Sequence, residues 1–233
     1  MKVVGRVLLL CSATLVFPVP AAASHSYPQP YPVFWDVGNN GTPDASVGVD
    51  ADGSGWTQAK LDRLTAATNG WAAATSFEPF RVVSGANKFF VDGSQDTAYC
   101  SYPAEDEYLG ATCVRKSART LPNQPGETYF DISQTHTTMT TSPPLGWVWW
   151  YGSTHSGSES SIDFQGVVVH ELGHWLYLRD VYDNNASTLP GCNYGTAMYT
   201  MCGAPQDATT ADDDTWRLRG LTTDDISAAN LLY

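Results

Sequence analysis

The sequence predicts an α+β domain with long loops, and three observations carry that prediction. A segment from Thr57 to about Ala74 repeats Leu61, Leu64, Thr68 and Trp71 at helical spacing on one face. A second segment, Phe164 to about Leu178, is the most apolar helical stretch in the chain. Short apolar runs of strand length lie around these two, in a chain whose 20 Gly and 14 Pro punctuate it with turns.

Taken in order, residues 1–23 stand apart. Lys2 and Arg6 precede an apolar run from Val7 to Val19, and Ala21-Ala22-Ala23 supplies small residues, the layout of a secretory signal peptide cleaved after Ala23. Residues 24–233 are then expected to form a single domain of an exported protein, with no later apolar run of membrane-spanning length. Ser24 to Pro32 reads as extended, Val33 to Val37 as a first strand, and Gly38 to Gly55 as loop. Thr57 caps the first helix. Phe80 to Val83 and Lys88 to Val91 are short strand candidates, and Asp92 to Gly126 is polar and irregular. Glu127 to Ile132 reads as a strand, Gly146 to Tyr151 is an aromatic run, and Ser153 to Ser161 is a loop. After the apolar helix, Asp183 to Thr215 reads as a long loop, and Thr222 caps a closing helix.

Composition narrows the function. The 233 residues carry a formal net charge of −12, which leaves few bases for a nucleic-acid surface. Aromatic residues make up 12%, which argues for a packed core rather than disorder. Removing residues 1–23 leaves ten basic and 24 acidic side chains, a net −14. It also removes Cys11, and the four remaining cysteines of an exported chain favour disulfides. Three pairings are possible; the spacing favours Cys100–Cys113 and Cys192–Cys202.

The chemistry lies in His170-Glu171-Leu172-Gly173-His174, inside the apolar helix. Side chains four apart share a helix face, so both imidazoles reach one ion, and neutral imidazole suits Zn²⁺. Glu171 then stands beside the metal's open position and takes a proton from the water there. A third protein ligand is required. No Glu follows Glu171 and no His follows His174; six residues past His174 stands Asp180. Asp180 is the preferred third ligand, with Asp183, His155 and His136 as alternatives; His136 and His155 also read as polar residues of Thr- and Ser-rich loops.

The run from His170 to Asp180 resembles the extended zinc motif of the metzincin metallopeptidases, in the variant with Asp as third ligand that is similar to snapalysin. The resemblance implies a matrixin-like domain: a twisted, mostly parallel sheet with an N-terminal helix, an active-site helix and a C-terminal helix. It implies a secreted zinc endopeptidase in which His170, His174 and Asp180 hold the metal and Glu171 is the general base. It also implies a Met-turn at Met201, or alternatively Met198, and a closing helix in the tail from Arg217 to Tyr233. Only the zinc motif is specific. The family usually has Gly at the position of Tyr177, where the chain turns sharply out of the helix. Tyr takes positive φ there only at a cost of about 1–2 kcal/mol, so either the turn differs or Tyr177 is strained.

Further expectations follow. Calcium is a weaker proposal, from Asp50, Asp52 and Ser54 in one loop and Asp212 to Asp214 in another. Trp147, Trp149, Trp150 and Tyr151 either help read a substrate or pack in the core, and Glu127 to Ile132 is a candidate edge strand on position alone. The expected partners are protein or peptide substrates, without nucleic acid or membrane, and a monomer is expected. The rival reading is a catalytically inactive secreted binding or inhibitory module retaining a metzincin fold.

Overall fold

The computed structural model describes residues 33–34, 46–49, 56–75, 81–82, 89–92, 109–120, 128–140, 143, 146–154, 161–178, 201 and 218–232. In chain order these form β1 (Val33–Phe34), β2 (Ser46–Val49), α1 (Gln58–Ala74), β3 (Arg81–Val82), β4 (Phe89–Asp92), β5 (Gly110–Thr120) and β6 (Thr128–Met139). They continue as β7 (Val148–Trp150), β8 (Ser161–Asp163), α2 (Phe164–Trp175) and α3 (Thr223–Leu232). The mixture is α+β, as predicted. No helix among the described residues is long and apolar enough to cross a membrane.

The spine of the main sheet is β6. Antiparallel β5 runs along one of its edges, Thr112 opposite Thr137. Parallel β1 and β4 share the other, with Val33 opposite Phe130 and Phe89 opposite His136. The sheet extends in parallel from β4 to β2 and from β2 to β3. Strands β7 and β8 form a separate parallel pair, Val148 opposite Ser161.

Three sequence expectations are corrected here. The stretch from Gly38 to Gly55 is not all loop, because β2 lies within it. Ser46-Val47-Gly48-Val49 is too short to show a period, and partners on both edges hold it extended. The stretch from Asp92 to Gly126 is not all irregular, because it contains the 11-residue β5. That strand looks polar because it lies at the edge of the sheet, where none of its described side chains is fully buried. Finally, Glu127 to Ile132 is no edge strand: β6 continues to Met139 and is paired on both sides. His136 accordingly lies in a strand rather than a loop.

The three helices begin where the sequence places them. Thr57 caps α1 by accepting from the Lys60 N–H at 3.4 Å. The face predicted for α1 is largely the buried one, with Leu64, Ala67, Thr68 and Trp71 inside. Trp71 Nε1 donates to the Val169 carbonyl at 3.0 Å, tying α1 to the middle of α2 inside the core. Thr222 and Asp225 form a reciprocal cap on α3: Thr222 N–H donates to Asp225 Oδ2 at 2.8 Å, and Asp225 N–H donates to Thr222 Oγ1 at 3.3 Å.

The start of α2 is held most firmly. Asp163 caps it by accepting from the Gly166 N–H at 2.6 Å, and a carboxylate suits the positive end of a helix. Arg219 grips the same fully buried carboxylate with two parallel bonds, Nε to Oδ1 at 2.9 Å and Nη2 to Oδ2 at 2.5 Å. It also donates to the carbonyls of Gly152 and Ser153 at 2.8 and 2.6 Å. The segment before α3 is thereby stapled to the N-terminus of α2. Phe164, the first residue of α2, packs edge-on against Trp56 and Trp149 and tilted against Tyr151.

The end of α2 differs from the sequence reading, which ran the helix to Leu178. It stops at Trp175. Tyr177 N–H donates to the His174 carbonyl at 2.9 Å and Leu178 N–H to the Gly173 carbonyl at 3.0 Å, the paired bonds of a Schellman turn. The residue after the cap must then be left-handed, and Tyr177 has φ +66°. The sharp turn is therefore present, and Tyr177 is strained.

Two stability predictions follow. Arg219→Ala leaves a buried carboxylate without its guanidinium and should lower the unfolding free energy by about 3–5 kcal/mol in urea denaturation. At position 177, Tyr177→Gly should exceed Tyr177→Ala in stability by about 1 kcal/mol, because both lose the ring and only Ala keeps the left-handed cost. Equal stability of those two variants would contradict strain at this turn.

Candidate active site

The site is built on α2, and ten of its twelve residues are buried, so its polar groups must find partners inside the protein. Val167, Val168 and Val169 drive that burial, and the motif follows directly. His170 and His174 lie one turn apart, with ring centroids 4.8 Å apart and planes nearly perpendicular. His170 is buried and His174 half-buried.

The protein sets the tautomer of His174. Its Nδ1 lies 2.8 Å from the Leu178 carbonyl, which can only accept. The proton of the neutral ring therefore sits on Nδ1, and Nε2 carries the lone pair that a metal uses. The acceptor belongs to the same Schellman turn that strains Tyr177. The turn thus orients a ligand as well as ending the helix.

Glu171 is buried, and its carboxylate reaches across to β5. Thr112 Oγ1 donates to Glu171 Oε2 at 2.5 Å. Thr112 Oγ1 is in turn 2.6 Å from Thr137 Oγ1, its cross-strand partner on β6. Thr137 Oγ1 accepts from Trp175 Nε1 at 2.7 Å, one turn along α2 from Glu171. Gly110, on the same face of β5 as Thr112, makes room for the carboxylate. A Cβ at Gly110 would stand 2.7 Å from Glu171 Oε1 and 2.9 Å from its Cδ, closer than any side chain tolerates.

On the other side of the helix, Met201 is fully buried and its Sδ lies where a Cβ on Gly173 would sit. Trp71 Cζ2 approaches the same point at 3.4 Å. The small residue of the motif thus lets Met201 and the α1 tryptophan pack closely against α2 at Gly173.

Of the predicted site residues, His170, Glu171, His174 and Met201 are brought together. Asp180, Asp183, His155 and Met198 lie outside the described residues, as do the acidic loops considered for calcium. Among the described residues, no group of three or more His, Cys, Asp and Glu could hold a metal ion. The His pair supplies two nitrogens of the kind Zn²⁺ prefers, with the tautomer of His174 already fixed, so the donor chemistry fits. Cys113 in β5 is disulfide-bonded, while Cys100, Cys192 and Cys202 lie outside the described residues.

The aromatic residues of the run Trp147–Tyr151 are half-buried. Trp147, Trp149 and Tyr151 lie against the core, and Trp149 Nε1 donates to the Thr140 carbonyl at 2.9 Å. Trp150 Nε1 donates to the Thr154 carbonyl at 2.6 Å. Sequence reasoning missed Gly110, Thr112, Thr137 and Arg219. Each acts through partners 25 to 61 residues away in the chain, and no spacing rule joins such positions. No protein-family model and no curated protein sequence matches the chain.

Gly173→Ala should force Met201 or the helix aside and lower stability by about 1–3 kcal/mol. Thermal unfolding indistinguishable from wild type would refute the close approach of Met201.

Proposed function

We propose that the chain is a secreted zinc-dependent endopeptidase of the metzincin kind, similar to snapalysin, in which Glu171 is the general base. The observation that carries this reading is the joint placement of His170, His174 and Glu171. Two imidazoles share a face of a buried helix, and the carboxylate between them is tethered rather than left to find its own position. The mostly parallel sheet, the helix α1, the closing helix and Met201 packed against Gly173 support the same reading. Tyr177 supports it too, since it adopts the left-handed turn for which the family usually uses Gly. The leader at residues 1–23 supports secretion.

His170, His174 and Asp180 would hold the metal. Zinc, when bound, supplies a Lewis acid that polarises the scissile carbonyl and makes water more acidic. Glu171 takes one proton from the attacking water as its oxygen bonds to the carbonyl carbon. The same carboxyl group returns that proton to the amide nitrogen as the C–N bond breaks, so the base is regenerated at the end of each turnover. The buried surroundings of Glu171 keep bulk water from competing for the proton.

Casein cleavage and zinc content, measured together, test this. Wild type should bind one zinc and lose activity to a chelator. Glu171→Ala should keep its zinc and lose about 10²–10⁴-fold in kcat/KM. Asp180→Ala should lose zinc. Undiminished cleavage by Glu171→Ala would rule out the mechanism, and a zinc-loaded wild type that cleaves nothing would instead favour the inactive binding module.

A further inference from the structure

The chain from Trp175 to Glu171 has only one possible direction when Glu171 is ionised, the state a general base needs. An indole N–H can only donate, so Trp175 gives its proton to Thr137. An ionised carboxylate can only accept, so the single proton of Thr112 goes to Glu171 Oε2. The 2.6 Å contact between the two hydroxyls must then be filled by the proton of Thr137. Every proton in the chain points toward the carboxylate, and none is left over.

We infer that Thr112 is a positioning residue for Glu171, dividing the work of its two oxygens: Oε2 is the anchor, and Oε1 takes and returns the proton. The inference rests on the hydrolytic reading above and names a residue that the motif does not contain. Oε2 already accepts from Thr112, and that hydroxyl is backed by a second donor. Oε1 lies against Gly110, whose missing side chain lets the carboxylate take this position with Oε1 turned away from Thr112. The chain also cannot drain the proton away. It ends at an indole nitrogen that does not accept, so a proton taken at Oε1 leaves from Oε1, toward the amine. Thr112, Thr137 and Trp175 thus form a brace and not a proton exit.

The brace has a structural reason to exist. Glu171 sits on a helix and Thr112 on the neighbouring edge strand, 59 residues earlier, so the bond fixes the carboxylate relative to the sheet as well as to its own helix. Misplacing a reacting group by about 1 Å costs on the order of 100-fold in rate.

The experiment uses zinc-loaded full chain and a peptide substrate. Thr112→Val keeps the shape and removes the hydroxyl; its kcat should fall about 10- to 100-fold, with KM within about twofold and zinc still stoichiometric. Thr112→Ser restores the donor and should return kcat to within about threefold of wild type. Thr137→Val breaks the brace one link back and should cost several-fold in kcat at unchanged KM. An unchanged kcat in Thr112→Val, a change confined to KM, or an equal loss in Thr112→Ser each overturns the inference while leaving the hydrolytic reading intact. Should Thr112→Val not fold, an unchanged kcat in Thr137→Val overturns it. Absence of cleavage by zinc-loaded wild type brings down the hydrolytic reading itself, and the positioning role of Thr112 with it.

Discussion

The rest of the structure depends on one constraint: the helix that carries the polar motif is buried almost all round. A buried apolar helix is easy to stabilise, because each of Val167, Val168, Val169 and Leu172 contributes roughly 1.5–3 kcal/mol when fully covered. A buried Glu and His on the same helix are costly unless each polar atom has a partner. The fold meets that demand from three directions. Strand β5 supplies the hydroxyl for Glu171, the Schellman turn supplies the carbonyl for His174, and Arg219 supplies the counter-charge for the capping Asp163.

These partners also fix the position of α2 along its whole length. Its first residue is held among Trp56, Trp149 and Tyr151, its middle by Trp71, and its last residue by Thr137. Two glycines permit close approaches at the motif. Gly110 admits the carboxylate of Glu171 and Gly173 admits the sulfur of Met201, and any Cβ at either place would collide. Trp147, Trp149 and Tyr151, from the aromatic run between β6 and α2, contribute to this packing.

The strained Tyr177 belongs to the same logic. A left-handed non-glycine residue persists only where its surroundings over-determine it. Here the surroundings are two Schellman hydrogen bonds and the burial of Leu176 and Leu178 on either side. The carbonyl of Leu178 is then delivered to His174. A helix that ran on to Leu178 would turn that carbonyl along the helix axis and leave the imidazole without its acceptor.

By itself the sequence determined what local rules can carry. Helical spacing located α1 and α2, Thr57 and Thr222 marked helix starts, and His170-Glu171-Leu172-Gly173-His174 marked the chemistry, because residues four apart on a helix must share a face. The four-residue β2 and the polar β5 were illegible, since pairing with distant strands makes them, not their own composition. Tertiary structure alone decided which end of each polar group is used. It joined Thr112 to Glu171, Thr137 to Trp175, Arg219 to Asp163 and Met201 to Gly173, pairs separated by 28 to 59 residues. Hydrogen bonds and van der Waals contacts depend on distance in space, and no periodicity in a chain reports which remote segments the sheet and the helix cap will bring within 3 Å.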